Sequence, residues 1–149
     1  MRILYISHKP IYPKVDGGCV AMANFLDLLL ANNHEVKHLT IETNKHTFSS
    51  ANYPKEIVKK TKVESVFINS DIHPLKAITA LFSSGSYNVN RFYSDEMNSK
   101  ITATLDSNDF DAIILESLFC TRYLKTIRAH FNGKVYMRSH NVEFKIWED

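Results

Sequence analysis

The chain has 149 residues, 44% of them hydrophobic and 23% charged, the balance of one soluble globular domain with room for a substantial core. That balance excludes a disordered or collagen-like chain. A net charge of only +2 and a pI of about 8.5 exclude a dedicated nucleic-acid partner, which would need a far more basic surface.

From the amino terminus, Ile3 to Ile6 is a continuous apolar run of the kind that fills a buried strand. It is too short for a signal peptide, and no small-residue cleavage site follows it. Pro10 and Pro13 mark a loop. A helix is predicted from near Gly18, because Met22, Phe25, Leu26, Leu29 and Leu30 fall on one face. Asn32 and Asn33 supply a left-handed stop, and Val36 to Ile41 reads as the second strand. The polar stretch from Glu42 to Pro54 predicts loop, and a basic segment with Lys55, Lys59, Lys60 and Lys62 leads to a strand at Val63 to Ile68. Pro74 opens a short predicted helix carrying Leu75, Ile78 and Phe82, which Gly85 ends.

Tyr93, Met97, Ile101 and Leu105 predict a helix from about Arg91 to Ser107, followed by an apolar strand at Ala112 to Leu115. Cys120, Leu124, Ile127 and Phe131 form another helical stripe, stopped by Gly133, and Val135 to Met137 is the last strand. Asn141 to Asp149 reads as a helix that has only begun, so the natural polypeptide is expected to continue. Strand and helix alternating in this way predict an α/β fold, a Rossmann-like doubly wound parallel sheet forming one domain over residues 1–149. Ligands of such sheets bind beyond the carboxyl ends of the strands. The chemistry is therefore expected at Ser7 to Gly18, Glu116 to Phe119 and Arg138 to Glu143.

Three constellations stand there. Asp16-Gly17-Gly18 opens the first helix, and a Gly-Gly pair leaves helix amides uncovered for an anion such as a diphosphate. The competing reading is a pair of glycines that simply lets the chain turn sharply. Arg138-Ser139-His140-Asn141 follows the last strand and puts an imidazole at the same end of the sheet. Glu116 ends the fourth strand, where it either bonds a sugar hydroxyl or pairs with Arg138. No dinucleotide fingerprint, phosphate-binding loop or nucleophile elbow occurs, although Glu42 falls near the place of a ribose-binding acid. The other histidines lack metal spacing, so neither metal nor cofactor is expected. Cys19 and Cys120 are read as buried thiols of a cytoplasmic protein. Helix 75–82 and the lysines from Lys55 to Lys62 add a weak peripheral contact with an anionic membrane as a minor expectation.

Taken in order, the run Met1 to Ser7, the prolines at 10 and 13, Asp16-Gly17-Gly18, Asn33-His34-Glu35-Val36, Asp109 to Ser117 and Arg138 to Glu143 resemble the opening of family 4 glycosyltransferases. The resemblance spans Met1 to Trp147. It implies the N-terminal, acceptor-side domain of a retaining two-domain GT-B enzyme that moves a sugar from a nucleotide-sugar donor to a sugar or lipid-linked acceptor, without a metal. It also implies that Gly17 and Gly18 meet the donor diphosphate, that His140 supports the transition state, and that Asp16, Glu116 and Arg138 line the cleft. The family's C-terminal donor-binding domain is absent from these 149 residues, so this chain alone is expected to be inactive. From a different class, a stand-alone ligand-binding or regulatory Rossmann-like domain remains open.

Overall fold

The computed structural model describes residues 1–69 and 92–139. Over these residues the chain runs β1 (Arg2–Ser7), α1 (Gly17–Ala31), β2 (Glu35–Glu42), α2 (Lys55–Thr61), β3 (Glu64–Phe67), α3 (Asp95–Asp106), β4 (Ala112–Glu116), α4 (Leu124–His130) and β5 (Lys134–Arg138). Short 3-10 segments add Ser50–Asn52 and Leu118–Tyr123. The predicted helix from Leu75 to Phe82 and the helix begun at Asn141 lie outside the described residues.

All strand pairs are parallel, in the order β3-β2-β1-β4-β5. The chain builds outward from β1 to β3, then returns to lay β4 against the other edge of β1. The strand order therefore reverses between β1 and β4, and open sheets of this kind generally bind ligands outside the carboxyl ends of the strands at such a point. The pleat sends alternate residues to opposite faces. Leu4, Ile6, Ile113 and Leu115 pack with Met97 and Ile101 of α3 on one face. Ile3, Tyr5 and Ile114 pack with Met22 and Leu26 of α1 on the other. The chain is thus a Rossmann-like doubly wound α/β fold, as its alternating pattern predicts. Burying each of the larger aliphatic side chains contributes about 1.5–3 kcal/mol, so both faces supply a large share of the stability.

Local chemistry sets the element ends. Asp16 caps α1 from extended backbone, its carboxylate accepting the Cys19 N–H at 2.8 Å. Asn33 adopts φ 59° after α1, the left-handed stop expected of it. The basic segment before β3 is itself helical, a difference from the sequence reading. Ile57 and Thr61, four apart, are buried beneath it, and Lys60 reaches Glu56 at 3.2 Å on its outer side. Helix α3 starts at Asp95, after Tyr93, because the Ser94 hydroxyl accepts the Met97 N–H at 3.1 Å and fixes the first turn there. The stripe predicted from Cys120 to Phe131 divides into a 3-10 segment and α4. Three residues per turn shift the phase, so Tyr123 is buried while Leu124 is exposed. At the edge, β5 leaves Tyr136 and Met137 about half exposed, at 50% and 47%.

Candidate functional site

The strand register lines up four polar residues across the carboxyl end of the sheet. Thr40 lies opposite Ser7, Ser7 opposite Glu116, and Glu116 opposite Arg138. Thr40, Ser7 and Glu116 are completely buried. A row of this kind in the middle of an α/β core needs partners, because an unpaired buried polar group is costly. Ser7 Oγ stands 2.8 Å from Thr40 Oγ1, 2.9 Å from the Lys9 carbonyl and 2.9 Å from His38 Nε2. His38 is itself fully buried, and its Nδ1 has no partner among the described residues. Burial, with the nearby Lys37 charge, holds the imidazole neutral and takes its pKa down to about 3.

At the other end of the row, Glu116 is held from two sides. The Tyr5 hydroxyl donates to Glu116 Oε1 at 2.6 Å, and Arg138 Nη1 donates to the same oxygen. Burial, and then the Glu116 charge, push the Tyr5 phenol well above its ordinary pKa, so it stays a donor. The Arg138 guanidinium stacks 3.8 Å above the Phe25 ring centroid of α1, and 31% of its side chain remains exposed. Glu116 therefore pairs with Arg138, one of the two roles its position allowed.

Ser117 follows directly with φ 80° and ψ 155°, a conformation that residues other than glycine rarely adopt. Its N–H donates to the Arg138 carbonyl at 2.8 Å, which carries the pairing of β4 and β5 one residue past Glu116. His8 leans in from β1, with Nδ1 3.2 Å from the Glu116 carbonyl and its ring against Phe119. A carbonyl can only accept, so Nδ1 carries the proton.

The start of α1 borders the same end. Gly17 and Gly18 form its first turn, and neither has a positive φ. A side chain at Gly17 would meet nothing within 4 Å, whereas one at Gly18 would crowd the Asp16 carboxylate at 3.2 Å and the Lys9 amine at 3.4 Å. Asp16 pairs with Lys9 at 2.6 Å. That bond, followed by the Cys19 N–H, holds the Asp16 carboxyl well below the usual range. The carboxylate thus serves the helix as its cap and compensates part of the positive helix end. Lys9 and Asp16 also act on His46, whose pKa is lowered, chiefly by burial.

The structure therefore brings Glu116 and Arg138 into direct contact and places Asp16, Gly17 and Gly18 at the same end of the sheet. His140 lies outside the described residues. Tyr5 escapes a sequence reading inside the apolar run of β1, and His38 and Thr40 stand among Val36, Leu39 and Ile41 of β2, whereas Ser7 at the end of β1 opens the segment where the sequence places the chemistry. Cys19 and Cys120 are both buried free thiols. Among the described residues no three His, Cys, Asp or Glu side chains gather as a metal would require, and no helix is long and apolar enough to cross a membrane. A cavity of about 180 Å³ opens at the opposite pole, lined by Arg2, Glu35, Lys37, Lys60 and Lys62 at the amino ends of β1 and β2. Its cations are largely engaged, Arg2 with Glu35, Lys37 with Glu64 and Lys60 with Glu56. Ligands of open parallel sheets sit at the other end, so the polar row is the better candidate.

No protein-family model and no curated protein sequence matches the chain. Solved structures do. A C-terminal hydrogenase domain from Pyrococcus furiosus superposes with a TM-score of 0.55 at 15% identity, over 93% of this chain and 90% of that one. UGT2 of Phytolacca americana, a UDP-glucosyltransferase solved with UDP-2-fluoro-glucose and pterostilbene, matches with a TM-score of 0.55 at 14% identity. It covers 93% of this chain but 30% of its own. At such identities the likeness establishes the fold, and it is shared equally by two proteins of different activity.

Proposed function

We propose that this chain is the N-terminal, acceptor-side half of a retaining glycosyltransferase that takes a sugar from a nucleotide-sugar donor. The observation that carries the reading is the juxtaposition at the carboxyl end. Gly17 and Gly18 begin a 15-residue helix there, and the Glu116–Arg138 pair ends the two strands beyond the switch point. The glycosyltransferase among the structural neighbours, which this chain matches over 30% of its length, supports the same reading.

In that reaction the bond between the sugar and the donor diphosphate breaks while an acceptor hydroxyl attacks; the leaving diphosphate carries away the electron pair and takes up the hydroxyl proton. Fixed dipoles in a water-poor cleft favour both the cationic sugar and the departing anion. The amides of Gly17 and Gly18 face the diphosphate in this scheme, and His140 supports the transferred sugar. A donor-binding domain following Asp149 supplies the nucleotide contacts and the charges that neutralise the diphosphate, with no metal required.

The chain alone is then expected to bind nucleotide sugars weakly and to transfer nothing, while the complete protein transfers. Incubation of both with a panel of nucleotide sugars and acceptors, read by release of the nucleoside diphosphate, tests this. Turnover by the 149-residue chain on its own would overturn the division of labour. Failure of the complete protein with every donor would remove the reading. The equally good match to a hydrogenase domain keeps a second reading in view, a ligand-binding domain without catalysis. In that case the chain binds a ligand at the polar row and turns over none.

A further inference from the structure

We infer that the exposed guanidinium edge of Arg138, held in place by Glu116, recognises neighbouring hydroxyl groups of a neutral sugar, so that this end of the sheet selects an uncharged acceptor. The inference deepens the glycosyltransferase reading and rests on it for the role of that sugar as acceptor. It starts from charge. Lys9, which follows β1, is bonded to Asp16 at 2.6 Å, and Arg138, which ends β5, is bonded to Glu116. Among the described residues these two cations are thus each matched by a carboxylate of the same chain, which offsets their charge beside the polar row. Such a surface exerts little pull on a phosphorylated ligand.

Geometry supplies the rest. A guanidinium is a planar fork with five N–H donors. Phe25 covers one face of the Arg138 fork at 3.8 Å, and Nη1 is taken by Glu116. The other donors have no partner among the described residues, and the side chain is 31% exposed, so an edge of the fork stays accessible in a plane set by Phe25 and Glu116. Two donors side by side match two adjacent hydroxyl oxygens on a sugar ring. Tyr5 acts behind this pair as a positioning residue: its hydroxyl fixes the Glu116 carboxylate, which in turn fixes the fork. Ser117 holds the Arg138 carbonyl through its N–H, so the ends of β4 and β5 move as one.

The test uses the isotope-labelled 149-residue chain and reads the Arg138 side-chain Nε–H with the backbone amides of Ser7, His8 and Ser117. A panel of methyl glycosides and, separately, inorganic pyrophosphate are titrated at low and high sodium chloride. At least one glycoside is expected to shift these signals saturably, with a midpoint that moves less than about twofold between the two salts. Pyrophosphate is expected to leave Arg138 without a saturable shift. Arg138→Lys keeps the charge and loses the fork, and it should weaken the glycoside about tenfold. Tyr5→Phe should weaken it several-fold while the amide spectrum stays dispersed.

Pyrophosphate shifts at Arg138 that fade with salt would overturn the inference. So would a flat response to every glycoside in the folded chain, or full glycoside binding by Arg138→Lys. If a glycoside shifts Arg138 but the complete protein transfers from no nucleotide sugar, the hydroxyl site stands and the transferase reading falls.

Discussion

Replacing Ser117 with glycine is expected to stabilise the chain by about 1 kcal/mol. Holding a residue other than glycine at φ 80° and ψ 155° costs about 1–3 kcal/mol. Against that gain, glycine adds freedom to the unfolded chain, worth about 0.4–1 kcal/mol. The lost hydroxyl contributes little, since it lies 3.5 Å from the Phe119 N–H, at the limit of a hydrogen bond. For a chain of this size the net gain raises the melting temperature by about 2–4 °C. Ser117→Ala is the control, because it discards the hydroxyl but keeps the strained Cβ, and it should gain nothing. Thermal unfolding followed by circular dichroism, with calorimetry as a check on two-state behaviour, reads the difference. A glycine variant no more stable than the alanine variant would refute the argument from strain.

Acid should destabilise the fold well before the carboxylates titrate. Folded His38 stays neutral down to about pH 3, while the unfolded chain takes up that proton from about pH 6.5, so stability falls as pH drops between those values. The slope is about 1.4 kcal/mol per pH unit, or about 2 kcal/mol lost by pH 5. His46 adds in the same direction. His38→Leu should remove most of this slope in urea unfolding, and an unchanged slope would count against the assignment. Asp16→Ala should cost about 1 kcal/mol through the lost cap, whereas Lys9→Ala should cost less, both read by the urea midpoint. Equal losses would mean that the ion pair, not the cap, dominates. Tyr5→Phe should cost about 1–3 kcal/mol, because the buried Glu116 carboxylate loses a donor. A neutral result would show that the hydroxyl does not support the carboxylate.

How much the sequence disclosed depended on the range of the interaction. Helix α1 was legible because Met22, Leu26 and Leu29 repeat within a few turns, whereas its cap by Asp16 emerged only from the structure. The apolar runs of β1 and β4 likewise announced buried parallel strands. Helix α2 was hidden, since seven residues with four lysines nearby carry only Ile57 and Thr61 as an inward signal. The split between the 3-10 segment and α4 was equally hidden, because one apolar spacing serves both until packing against the sheet selects between them. Of the site, the sequence showed Asp16, Gly17, Gly18, Glu116 and Arg138 as residues at strand and helix ends. It could not show the polar row, because register between β2, β1, β4 and β5 joins residues as far apart as Ser7 and Arg138. Tyr5 and His38 were least legible, since neither a tyrosine within an apolar strand nor a histidine within the mixed strand β2 announces a partner in sequence.

The pleat that sends Leu4, Ile6, Ile113 and Leu115 one way and Tyr5, Ser7, Ile114 and Glu116 the other has an evolutionary consequence. Preference for a new ligand can drift through substitutions on the α1 side while the layer beneath α3 and α4 keeps its packing. Sheets of this kind can therefore differ in what they bind and still fold alike, as two structural neighbours of unlike activity illustrate.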